Sequence, residues 1–160
     1  MAFNQPRIQA FCDTVTPWSA QTQVKAAAVY AFPWDLQASA SFQHFPGITQ
    51  AANMVFSNAQ VASSLGRSLA AGANATVLVD VLPNQLQFEN SSNQTDIRFI
   101  KSVRFAGRRL QGIFDIYNAF NARPVLAVNT RYSGTTGGSW LSPTSTLIGR
   151  LIKFSAQLNF

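Results

Sequence analysis

The sequence predicts an all-β fold of antiparallel amphipathic strands, and three observations predict it. Hydrophobicity alternates with period two over stretches of roughly ten residues, the repeat of a half-buried strand. Short turn signals join these stretches in pairs, while long neutral-polar segments separate one pair from the next. The final stretch keeps one apolar face as far as Phe160, the last residue.

The first hairpin spans Gln21 to Gln43. Val24, Ala26, Ala28, Tyr30 and Phe32 share one face, against Gln23, Lys25, Ala27 and Val29. After the turn Pro33-Trp34-Asp35, Leu36, Ala38, Ala40 and Phe42 alternate with Gln37, Ser39, Ser41 and Gln43. In the second hairpin Ile97, Phe99, Val103 and Phe105 alternate with Asp96, Arg98, Ser102 and Arg104. Its turn is expected at Ala106-Gly107-Arg108. Its return strand runs from about Arg109 to Phe120, with Phe114 and Ile116 opposite Asp115 and Tyr117. Lys101 falls in phase with the apolar set, which predicts a bulge or a position at headgroup level. From Leu147 onward, Ile152, Phe154, Ala156, Leu158 and Phe160 oppose Lys153, Ser155, Gln157 and Asn159.

The intervening segments differ in character. Residues 46–93 are rich in Asn, Ser and Gly, with a strand-like Met54-Val55-Phe56 and an expected helix from about Ala59 to Ala71. Asn121 to Thr146 contains the Gly-rich run Ser133 to Ser139, expected to be a flexible loop.

Charged residues make up only 11% of the chain, against roughly a quarter in ordinary soluble domains. Ser, Thr, Asn, Gln and Ala fill the space. Thirteen Phe among so few charges suit a surface with water on one side and an apolar medium on the other. No helix of membrane-spanning quality is expected, because Leu36 to Gly66 is crowded with Ser, Gln and Asn and is broken at Pro46-Gly47. The net charge is +6. Its cations are scattered from Arg7 to Lys153, and only Arg104, Arg108 and Arg109 cluster. No nucleic-acid partner is therefore expected, whereas Arg also suits anionic headgroups.

Short turns alternating with long loops match the asymmetry of outer-membrane barrels, and a tilted membrane strand needs roughly 9–11 residues. Tyr30, Phe32, Trp34 and Phe105 sit near turns, as an interfacial girdle would. A soluble β-sandwich serving as a binding or adhesion module alternates in the same way and stays open as the alternative. Against it stand the loop lengths and an apolar strand at a free terminus, which invites aggregation in water.

The run Leu151-Ile152-Lys153-Phe154-Ser155-Ala156-Gln157-Leu158-Asn159-Phe160 resembles the C-terminal signature of outer-membrane proteins. Phe114-Asp115-Ile116-Tyr117-Asn118-Ala119-Phe120-Asn121 resembles the penultimate-strand motif of TonB-dependent receptors. Trp140-Leu141-Ser142-Pro143-Thr144, followed by Gly149-Arg150-Leu151, resembles the ending of the Oar-like transporters that bear a carboxypeptidase regulatory-like domain. Thr22-Gln23-Val24-Lys25, Ser41-Phe42-Gln43 with Pro46-Gly47, and Leu65-Gly66-Arg67 with Leu69-Ala70-Ala71-Gly72 are similar to the same subfamily.

This resemblance implies about five C-terminal strands of a barrel of about 22 strands. It implies an outer-membrane location, a structural wall of a solute-uptake channel, and a terminal signal read by the barrel-assembly machinery. That signal would be Ile152, Phe154, Ala156, Leu158 and Phe160. The implied partners are outer-membrane lipid, the assembly machinery, and the rest of the barrel with its plug and TonB. Residues 1–160 are expected to be one partial barrel domain, without plug, TonB-contacting segment or signal peptide. Counting strands back from Phe160 expects residues 1–20 outside the cell and both short turns in the periplasm. Lys25, Asp96, Arg98, Arg104, Asp115 and Lys153 are the candidates for facing the lumen.

No enzymatic role is expected. Cys12, His44 and scattered Asp residues are the only material for nucleophilic catalysis, and no nucleophile elbow or oxyanion motif accompanies them. One Cys and one His cannot build a protein metal site. Ser133-Gly134-Thr135-Thr136-Gly137-Gly138 lacks the Lys of a phosphate loop, so no cofactor is expected. The Asn-X-Ser/Thr triplets at Asn74, Asn90 and Asn93 are the chance matches of an Asn- and Ser-rich chain.

Overall fold

The computed structural model describes residues 9–134 and 138–160. In chain order the strands are β1 (Val24–Phe32), β2 (Leu36–Phe45), β3 (Asn53–Ser57), β4 (Thr76–Asp80), β5 (Ser92–Phe105), β6 (Arg108–Tyr117), β7 (Val125–Val128), β8 (Pro143–Thr146) and β9 (Leu151–Asn159). The helix α1 (Asn58–Leu65) follows β3. The class is all-β and mostly antiparallel, as expected. The chain divides into two compact units.

The first unit comprises Gln21–Gly47, Asn90–Val125 and Thr146–Phe160. Here β1, β2, β5, β6 and β9 form one sheet in that order, each pair antiparallel. Phe32 pairs with Leu36 across the first turn, Leu36 with Lys101 in β5, and Arg109 with Asn159. Both short turns and the end of β9 therefore lie at one end of the sheet. The chain segments between β2 and β5 and between β6 and β9 leave and rejoin at the other end. The outer edges of β1 and β9 carry no strand partner among the described residues, so the five strands form an open sheet.

Local chemistry sets the strand ends. Ala106 and Gly107 both have positive φ, 48° and 74°, which makes a two-residue turn whose twist suits a hairpin. Arg108, expected in that turn, instead pairs with Phe105 as the first residue of β6. The return strand stops at Tyr117 and does not continue to Phe120, because Asn118 turns to φ 51°. β5 begins at Ser92, earlier than the alternation suggested, and β9 begins at Leu151, four residues after Leu147. The bulge anticipated at Lys101 is absent, since the register runs unbroken through Leu36, Lys101 and Gly112. The Lys101 ammonium reaches back to donate to the Trp34 carbonyl.

The second unit comprises the described residues up to Ala20, Ile48–Glu89 and Leu126–Ser145. Most of these residues are expected to be loop, but they hold structure of their own. β3 pairs with β4, and β7 with β8. The strand anticipated at Met54–Phe56 is β3, whereas β4, β7 and β8 were not anticipated. Helix α1 is shorter than the expected 59–71. The Gln60 side chain accepts from the Ser57 amide at 2.8 Å to start it, and Gly66 at φ 68° ends it. The Asn58 carboxamide accepts from the Leu69 amide at 2.7 Å and folds the chain back after that end. Trp140 donates its indole hydrogen to the Ala51 carbonyl at 2.9 Å and stands edge-on to Tyr132. Of the Gly-rich run, Thr135, Thr136 and Gly137 lie outside the described residues.

Candidate functional site

Alternation sends successive side chains to opposite faces of a strand. Register then carries the two faces of the five-stranded sheet across all its strands. One face holds the row Ala28, Ala40, Ile97, Ile116 and Ile152. Its neighbouring row is Tyr30, Ala38, Phe99, Phe114 and Phe154. In that row Phe99 and Phe114 stack with centroids 6.4 Å apart, and Phe114 and Phe154 meet at 4.9 Å. The residues expected as an assembly signal, Ile152, Phe154, Ala156 and Leu158, belong to this face, opposite Ile116, Phe114, Gly112 and Leu110. Phe160 lies just past β9 and is 97% exposed.

The opposite face carries Val29, Ser39, Arg98, Asp115 and Lys153 in one row. All six candidate lumen residues, Lys25, Asp96, Arg98, Arg104, Asp115 and Lys153, fall on this face. The fold joins only some of them. Arg98 meets Asp115 through two bonds, Nε to Oδ1 at 2.5 Å and Nη2 to Oδ2 at 3.2 Å, the forked geometry that suits a guanidinium. Lys153 pairs in register with Asp115 on its other side. Asp96 accepts from Gln94 and from the Asn118 amide. Lys25 and Arg104 stay near opposite ends of the sheet. Lys25 lies 5.4 Å above the Phe45 ring, and Arg104 is 3.7 Å from the Asp35 carboxylate.

Burial inverts the pattern of a water-soluble sheet. Within this unit the buried residues among those described are Ser102, Asp115 and Asn118, all polar. Tyr30, Phe99, Phe154, Ile152, Leu110 and Leu158 are exposed on the apolar face. The buried polar groups are satisfied. Ser102 accepts from Arg109 at 3.0 Å and Gln111 at 3.2 Å, and Asp115 also accepts from the Tyr117 hydroxyl at 3.4 Å.

Asn118 carries no expected role from alternation, yet its role is structural and central. Its carboxamide donates to the Ala122 and Ile148 carbonyls at 2.9 and 3.0 Å and accepts from the Ala122 amide at 2.8 Å. Asn121 accepts from the Arg150 amide at 3.0 Å. Together these two residues tie the end of β6 to the segment entering β9. Alternation does not single out Ser102 and Asn118, because their bonds reach residues on other strands and segments that a single strand's period does not connect. The one available signal was Asn at a strand end, a residue that tolerates left-handed backbone.

Cys12 and His44 belong to different units. Cys12 is exposed, and His44 Nδ1 donates to the Asn93 side chain at 2.8 Å. Among the described residues no three His, Cys, Asp or Glu side chains gather as metal ligands, and no helix is long and apolar enough to cross a membrane. The chain matches no family model, no curated protein and no solved structure.

Proposed function

We propose that this chain supplies C-terminal wall strands of an outer-membrane β-barrel of the TonB-dependent transporter type, in a non-enzymatic role. The observation that carries the proposal is the inverted five-stranded sheet, with its aromatic and aliphatic face open and its polar face holding the buried, bonded groups. In water such a face is a liability, whereas in lipid it is the favoured arrangement. Strand lengths support the reading, since β1, β2, β6 and β9 have 9 or 10 residues. The short turns at one end, with longer segments at the other, agree with it. The motif resemblance supports the transporter type, and Asp115, Asn118 and Asn121 give its residues physical work in seating the last strand. The two open edges of the sheet call for further strands, so the proposal includes the remainder of a barrel as partner. The polar face would then look inward.

The test is solubility matched to structure. The chain is expected to aggregate in detergent-free buffer and to give a β-type circular dichroism spectrum in detergent micelles or lipid vesicles. Its tryptophan fluorescence is expected to be quenched by brominated acyl chains. A well-folded, cooperatively unfolding monomer in plain buffer would overturn the membrane reading and favour a soluble sandwich-like module.

A further inference from the structure

We propose that the apolar face of the sheet carries a groove for an anionic phospholipid, with Lys101 binding the phosphate and the space over Gly112 holding an acyl chain. This rests on the reading of that face as lipid-facing.

Lys101 sits in the row Phe32, Leu36, Lys101, Gly112 and Ala156. The rows on either side are bulky, with Phe114 and Phe154 on one side and Leu110 and Leu158 on the other. The small pair Gly112 and Ala156 therefore leaves a dip. On the phenylalanine side of this dip lies a groove with a volume of 290 Å³, lined by Leu36, Phe99, Lys101, Gly112, Phe114 and Phe154 among others. A Cβ placed on Gly112 would meet nothing within 4 Å.

The charge arrangement selects the headgroup. Both strand carboxylates of this sheet, Asp96 and Asp115, belong to the opposite face, and among the described residues the apolar face has no acidic side chain. Its cations are Lys101 and, at the turn, Arg108. The Lys101 ammonium gives one hydrogen to the Trp34 carbonyl, which leaves two for a phosphate. Lys101 pairs with Leu36, the first residue after the short turn, so the cation lies where a membrane strand meets headgroups and a Lys costs little. Trp34 is 81% exposed beside it, an amphipathic ring suited to that level.

The experiment compares vesicles of phosphatidylcholine alone with vesicles that also contain phosphatidylglycerol, using the full chain, Lys101→Gln and Gly112→Leu. Native mass spectrometry of the micelle-solubilised chain with added phosphatidylglycerol runs alongside. The full chain is expected to partition about fivefold better into the anionic vesicles and to show a saturable single-lipid adduct. Lys101→Gln keeps Arg108 and the chain's other cations, and it is expected to lose the saturable adduct and most of that preference. Gly112→Leu keeps the cation but fills the groove, and it is expected to lose the adduct with its circular dichroism spectrum unchanged. Equal partition of the full chain into both vesicles overturns this proposal while the membrane reading stands; no partition into either overturns both. An adduct that persists in Gly112→Leu or in Lys101→Gln, or displacement of the lipid by inorganic phosphate alone, also overturns it.

Discussion

Asn118 concentrates several functions in one side chain. It holds a left-handed backbone at φ 51°, is 3% exposed, and spends its carboxamide on two carbonyls and one amide. Losing that buried carboxamide would remove three hydrogen bonds at once, to the Ala122 and Ile148 carbonyls and from the Ala122 amide, each contributing about 0.5–1.5 kcal/mol. Asn118→Ala is expected to destabilise the micelle-bound chain by about 2–4 kcal/mol. Asn118→Gly should cost about 1 kcal/mol less, because glycine adopts positive φ freely while alanine does not. Urea midpoints of the two variants check this order, and an unchanged midpoint in Asn118→Ala would contradict the role given to the residue. The Arg98–Asp115 pair works at the same scale, in that an acid on the polar face is matched by a forked donor from the neighbouring strand.

At the scale of the element, the hairpins show how few residues direct a strand. The second turn has two residues, and its first, Ala106, carries φ 48° without the side-chain hydrogen bonds that ease such a backbone for Asn. Asn-Gly is the favoured pair for this turn. Ala106→Asn is therefore expected to stabilise the β5–β6 hairpin by about 0.5–1 kcal/mol, measured as a shift in the urea midpoint with no change in slope. A drop in the midpoint would mean that the turn's geometry differs from the one described. The strands themselves depend on period two, since a one-residue slip in β9 would move Ile152, Phe154, Ala156 and Leu158 onto the charged face. The Phe99, Phe114 and Phe154 ladder opposes such a slip by matching ring to ring across three strands.

At the scale of the whole molecule, the sheet has an interior and two edges. β2, β5 and β6 are paired on both sides, whereas β1 and β9 are paired on one. Amide hydrogen exchange in micelles is expected to be slowest in β5 and β6 and fastest in β1 and β9, because an edge strand can open without breaking a second ladder. Equal protection of β9 and β5 would mean that the outer edge of β9 has found a partner. The same edges explain why the chain is expected to aggregate in buffer, since free ladders beside an apolar face template further pairing.

The amphipathic strands, their faces and the two tight turns were legible in the sequence because their causes are local. Period two places Lys25, Asp96, Arg98, Arg104, Asp115 and Lys153 on a common side of their strands before any partner is known. Pro33 and Gly107 mark turns by their own backbone limits. The pairing of β2 with β5 and of β6 with β9 was not legible, because long segments separate the partners and register is set only when the strands meet. The short strands β4, β7 and β8 were missed for a related reason. Four- or five-residue runs such as Thr76–Asp80 carry too little periodicity to stand out from loop. Tertiary structure alone decided that Asp115, Ser102 and Asn118 would be buried while Phe99 and Phe154 stayed open. Burial depends on which side chains neighbouring strands bring to the same row, and no single strand contains that information.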